Sequence, residues 1–368
     1  MRLSTCTVCS YLDIKPIAIL FRQATKVCAL LLLAGSALAA PTENQITISE
    51  RIQTRFENSL YTLPPEIQAH WALRLYRSSG DERYRYPILA HAILLERNLS
   101  RDLDGWGDAD YMRERVARHL ESFSGKSRKS RARRAMFEKN EEELILLRSL
   151  SSLYRLNQLG FHGADMERAR ALIAGQELAH FLLEEDVVDI YAAQAVNYVY
   201  YLHQLGLADV RKEFREVFQR CFPDSRDEEL SKLRFKDKIY GLTHFILADS
   251  GYFESYVDYK EHVWILEYFE ANLERILHET KADIIAEVGL CFLLAERDDS
   301  PVVHRTREAV AGQFDAKGNM IPSVSGDWDL LKGEHRNVLA YLLLSEFGEL
   351  HPGPDLMNWD ESRRRLAP

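Results

Sequence analysis

Asp283 and Glu287 are carboxylates four residues apart, on one face of a helical run, and Glu287 lies a full turn inside the otherwise apolar segment 284–294. A carboxylate so placed must be paired or perturbed, and perturbed carboxylates gather at working sites. Two histidines have comparable surroundings: His244 within Leu242-Thr243-His244-Phe245-Ile246, and His335 within Glu334-His335-Arg336-Asn337. A carboxylate beside an imidazole can move protons, so Glu287, His335, His244 and Asp283 are the candidate catalytic residues. Trp328 offers a flat apolar face with Asp327 and Asp329 on either side, a combination suited to a sugar ring and its hydroxyls. Tyr240, Asn197 and Arg336 complete the candidate substrate contacts. Each also has a plainer reading, since acids cap helix starts, a histidine in an apolar run can be a hydrogen-bonded core residue, and Trp328 can pack its own loop.

Hydrolysis of a glycan would need two carboxylates, one as acid and one as base or nucleophile. Elimination would need a base and a group neutralising a uronate, for which His244, Tyr240, Asn197 and Arg336 are the right types. Two histidines and a glutamate could bind a metal, but their spacing does not specify a site, and no metal or cofactor is expected.

These residues sit on a loose repeat. Apolar helical runs end in similar turns at Leu156–Gly160, Leu202–Gly206, Leu247–Gly251 and Leu294–Asp298, at intervals of 46, 45 and 47 residues, with a further stop at Gly348. Leu75–Gly80 has the same form upstream. A fixed period of this size indicates a repeated pair of helices, each stopped by a left-handed residue. Segments 190–205, 239–248, 283–295 and 337–347 are apolar nearly all round, whereas 208–221, 258–278 and 301–313 are amphipathic. Helices apolar on every face must be covered on every face, so the first set belongs inside and the second outside. The inner helix starts and the loop 314–333 are therefore where a site should lie, with that loop folded over the mouth.

This alternation over residues 66–348 resembles the α/α toroid, a ring of about six helical hairpins used by several glycan-active enzymes and some cyclases. The resemblance rests on period and alternation, and Trp71-Ala72-Leu73-Arg74-Leu75-Tyr76 with Gly80-Asp81-Glu82-Arg83-Tyr84 has the character of a toroid inter-helix turn. It implies an all-α fold with a site at the barrel mouth. The glycosidase motifs of toroids and the zinc ligands of lanthionine cyclases are not matched. The whole chain also resembles an uncharacterised exported bacterial family carrying a domain of unknown function, which implies no activity.

With 46% apolar and 28% charged residues in 368, the chain can bury a real core, and 18 Gly with 11 Pro are too few for a turn-rich sandwich. A net charge of −9 argues against a nucleic-acid partner. Residues 27–39 form an apolar run after Arg22 and Lys26 and end in Ala37-Leu38-Ala39, the pattern of a cleavable secretory signal and too short to span a bilayer. A periplasmic or secreted protein starting near Ala40 is expected. Residues 1–39 carry four cations and one acid, so their removal leaves a net charge of −12. Cys221 and Cys291 would remain, either disulfide-bonded or as free thiols. The expected layout is a signal at 1–39, one toroid-like domain at 40–350 with a basic loop at 124–134, and a tail at 351–368. The basic loop could meet a polyanion or simply be solvated. Two functions remain: a glycan-active hydrolase or lyase whose partner is a polysaccharide or other polar polymer, or a non-catalytic helical-repeat binding protein of the cell envelope.

Overall fold

A computed structural model describes residues 40–123 and 125–358, so the expected signal segment and the last ten residues of the expected tail lie outside the described residues. Among these there are sixteen α-helices, three short 3₁₀ turns, no strand, and one isolated bridge between Asp315 and Met320. The helices are α1 (Glu43–Glu57), α2 (Pro65–Ser79), α3 (Arg85–Asp104), α4 (Ala109–Glu121), α5 (Arg128–Phe137), α6 (Glu141–Gln158), α7 (Ala164–Ala174) and α8 (Leu178–Leu182). They continue with α9 (Glu185–Gln204), α10 (Arg211–Cys221), α11 (Lys232–Asp249), α12 (Tyr259–Ala271), α13 (Leu273–Glu279), α14 (Ala282–Leu294), α15 (Pro301–Ala311) and α16 (Leu330–Leu344). No helix among the described residues is long and apolar enough to cross a membrane.

Packing follows the apolar pattern. Every residue of α14 except Asp283 is buried, and α14 lies against α11, α15 and α16. Gly289 permits that closeness, because a Cβ there would overlap the Thr306 hydroxyl of α15 and Leu343 of α16. The amphipathic α10 buries only Phe214, Val217 and Phe218, against α9. On α15, Ser300 caps the first turn and Pro301 occupies its first position. Helix contacts run from α2 to α3, α6, α9, α11, α14 and α16, and from α16 back to α2. Outside this circuit α1 packs on α16, with Phe56 stacked on Trp71 of α2 at 4.5 Å.

Most of the expected stops are present, with Glu296 the left-handed residue after α14, but α16 ends at extended Ser345, short of the stop expected at Gly348. Gly80 closes α2 at φ +66°, its N–H donating to Tyr76 O at 2.7 Å, and Gly160, Gly206 and Gly251 are left-handed in the same way. Several starts are earlier than the apolar pattern suggests. α9 begins at Glu185 rather than 190, α11 at Lys232 rather than 239, and α16 at Leu330 rather than 337. These first turns mix charged and apolar residues, so a pattern that is apolar all round misses them, while Ser231 and Asp329 cap two of them. The expected single helix 258–278 divides at Asn272.

The basic stretch departs from a loop: residues 128–137 are helical. Ser127 Oγ accepts from Ser130 N, Lys129 pairs with Asp237 at 2.7 Å, and Arg133 donates to Gln194 Oε1 at 2.7 Å. Lys129 and Arg133 thus turn toward the body, and Ser127 caps the helix. Within the segment read as a tail, His351 N donates to Arg77 O and Leu356 N to Leu159 O, laying residues 351–356 across the ends of α2 and α6. Both cysteines of the described residues, Cys221 and Cys291, are free thiols.

Candidate functional site

A cavity of about 380 Å³ is lined by polar side chains from six helices of the circuit. They are His70 and Arg74 of α2, His91 of α3, Arg155 of α6, Asn197 and Tyr201 of α9, Tyr240 and His244 of α11, and Glu334 and His335 of α16, with Tyr252 just beyond α11. Glu66 and Arg155 are exposed, so they belong to its rim. At the far ends of α2 and α6 the wall is closed. Arg77 donates to Tyr252 O at 2.9 Å and Glu254 Oε1 at 2.8 Å, and Gln158 donates to Glu254 Oε2 at 2.8 Å.

On α11, His244 is buried. Its Nδ1 lies 2.8 Å from Asn197 Oδ1, and with the amide in this orientation Nδ1 carries the proton. Nε2 then keeps its lone pair, and it is buried without a partner. Burial, followed by the charges of His335 and Arg74, pulls this imidazole down to about 3, so it is neutral. The Tyr240 ring meets it edge-on at 4.5 Å, and burial holds the Tyr240 and Tyr252 hydroxyls above the ordinary tyrosine range, so both stay protonated.

A second layer links two histidines to two glutamates. His70 Nδ1 is 2.7 Å from Glu334 Oε1; burial and Arg74 lower His70 to about 4, so the neutral ring donates to the carboxylate. His335 Nε2 lies 3.5 Å from Glu287 Oε1, and Glu287 Oε2 accepts from Thr243 at 2.7 Å. Burial raises Glu287 despite His335 and Thr243, while contact with Glu287 raises His335 despite its own burial. No group of three or more His, Cys, Asp or Glu among the described residues is placed to hold a metal ion.

Asn197, Tyr240, His244 and His335, expected from sequence, are brought together in this cavity. Glu287 is fully buried behind His335 and does not line it. Asp283 stays in the first turn of α14, its Oδ1 accepting from Ile284 N, and is not part of the wall. The other expected substrate contacts lie elsewhere. Trp328 packs on its own turn, where a Cβ at Gly318 would overlap the indole, and Asp327 accepts from Asp329 N. Arg336 Nε donates to Ile321 O at 3.1 Å, and Asn337 holds Ile321 N at 2.7 Å. Arg51 of α1 grips Asn319 at 2.7 Å. The loop is therefore bound to α1 and α16, and none of its residues lines the cavity.

The expected site at helix starts is corrected in the same way. Glu287 and His335 do lie near the starts of α14 and α16, but Asn197 and His244 are each the thirteenth residue of their helices. The cavity draws on residues along the helices and on the turn after α11 rather than on helix starts alone, and His70, Arg74, Tyr201 and Tyr252 are not among the residues expected from sequence. A signal was present: Glu66, His70, Arg74 and Arg77 recur at helical spacing along one face of a helix otherwise rich in apolar residues. No curated protein and no solved structure matches the chain. The described family that does match spans residues 45–367, and the chain accordingly belongs to the domain of unknown function DUF3541.

Proposed function

We propose that this protein is an exported α/α-toroid enzyme that acts on a carbohydrate or similar polar polymer in the cavity between its helices. The circuit of helix contacts that returns from α16 to α2, with half-buried helices packed outside it, supports the toroid. The segment 1–39 supports export, and protein recovered from a periplasmic fraction should begin near Ala40 on N-terminal sequencing.

The observation that carries the enzymatic reading is His244: a neutral imidazole with one nitrogen fixed by Asn197 and the other unpartnered, in a residue that lines the cavity. Such a nitrogen can accept a proton from a bound water or from the sugar, and a protonated tyrosine beside it can supply one to the leaving oxygen. The carboxylates are already engaged, Glu334 by His70 and Glu287 by His335 and Thr243, which favours proton transfer through His244 and Tyr240 over a two-carboxylate hydrolysis. A panel of glycans assayed for new reducing ends and for unsaturated-product absorbance tests this. Turnover should appear on at least one glycan and fall by ~10²-fold or more in His244→Ala. Binding without turnover would instead select the non-catalytic binding protein.

A further inference from the structure

We propose that Arg74 is a specificity-determining anion site, and that the polymer entering the cavity is acidic, with a carboxylate or sulfate group that pairs with the Arg74 guanidinium. This deepens the reading of the cavity as a substrate site and rests on it.

Arg74 is 8% exposed and forms no ion pair among the described residues. Its Nη1 donates to the backbone oxygen of His70 at 3.3 Å, its guanidinium lies 5.7 Å from the centroid of the Tyr252 ring, and its Nε is buried without a partner. Two other deeply buried cations are held by carboxylates. Arg77 is held by Glu254 and backbone carbonyls, and Lys238 by Asp224 and Asp227 at 2.6 Å each. An unpaired buried cation is costly, and a guanidinium offers a planar fork that matches two oxygens of a carboxylate or sulfate. The carboxylate in the same wall, Glu334, is occupied by His70.

Glu334 draws Arg74 upward from beyond ion-pair distance, but burial outweighs it. Arg74 contributes to the lowering of both His70 and His244, and burial brings Arg74 itself down to about 10. An anion on Arg74 would offset that positive field, so substrate binding would raise the basicity of His244.

Calorimetric titration of the purified protein with neutral, uronate-bearing and sulfated oligosaccharides of equal length, at low and high salt, tests the proposal. At least one acidic oligosaccharide should bind tenfold or more tightly than the neutral one, with the advantage shrinking at high salt. Which acidic ligand binds identifies the group. Arg74→Gln should lose that tenfold preference without a fall in melting temperature, Arg74→Lys should keep part of it, and the His244 ring should titrate higher with ligand bound. Equal affinity of the wild-type protein for neutral and acidic oligosaccharides would overturn the anion site, as would an Arg74→Gln variant that keeps the preference. Turnover of neutral glycans alone would sink the anion site and leave the enzymatic reading standing. Binding of inorganic sulfate lost in Arg74→Gln, with no glycan bound, would keep the anion site and sink the polymer reading.

Discussion

Glu287 and His335 each bind a proton more tightly than they would in water, Glu287 because burial disfavours its carboxylate and His335 because the adjacent Glu287 outweighs its own burial. Glu287→Gln removes the charge that holds His335 up, leaving burial and Arg74 to push it down. His335 should then titrate below 6.5 by NMR, at a cost of ~1.4 kcal/mol for each pKa unit it gives up; an unchanged His335 titration would refute the pairing. The pH dependence has the opposite sign at His70 and His244, which titrate near 4 and 3 when folded. Below pH ~6.5 the unfolded chain takes up protons that the folded chain refuses, so stability present above that pH is lost on acidification. Urea denaturation should show a slope that approaches ~1.4 kcal/mol per pH unit for each of these histidines as the pH falls below ~6 toward ~5, shallower in His244→Gln, and a flat profile would contradict it. His335 opposes this trend, its stabilisation being full below its unfolded value and lost as pH rises through its folded one. Of these residues, Glu287, His244 and His335 were legible because a polar group in an apolar run stands out. Arg74 was not, because its helix was read for its stop and its core rather than for its polar stripe.

At the scale of elements, the turn after α11 places three consecutive residues, Gly251, Tyr252 and Phe253, in left-handed conformation. Two of them carry a Cβ, and such positions cost of order 1–3 kcal/mol each unless the surroundings hold them. Arg77 supplies that hold through the carbonyls of Gly251 and Tyr252 and the carboxylate of Glu254, and so presents Tyr252 to the cavity. Arg77→Met should cost ~3–5 kcal/mol by urea denaturation, since Glu254 loses its cation and the Gly251 and Tyr252 carbonyls lose their donor. A loss below ~1 kcal/mol would show that the turn holds itself. The helix stop at Gly251 was visible in sequence, but the two residues after it were not, because nothing in Tyr-Phe favours positive φ. Residues 128–134 were misread for a related reason: a run of cations looks solvated until distant partners such as Asp237 and Gln194 are known.

For the whole molecule, the repeat was legible because four of its stops are glycines with one backbone requirement, and the all-α class followed from the composition and period. Which helices meet to complete the circuit was not legible, since apolar pattern marks a helix as inner or outer without naming its neighbours. Closure depends on residues far apart in sequence, α1 against α16 and α16 against α2. That seam has a kinetic consequence. Contacts from α6 through α16 join segments near in sequence, whereas the seam must close a loop of nearly the whole described chain and should form after the rate-limiting step. Ile52, fully buried on α1, reports on it. Ile52→Val should lose ~0.5–1.5 kcal/mol, all of it as faster unfolding with refolding unchanged in stopped-flow chevrons. Slowed refolding would place the seam in the folding nucleus. With a late seam, the stacked helices assemble before the cavity is closed on itself, and the chain spends its last folding step as an open ring with α1 undocked.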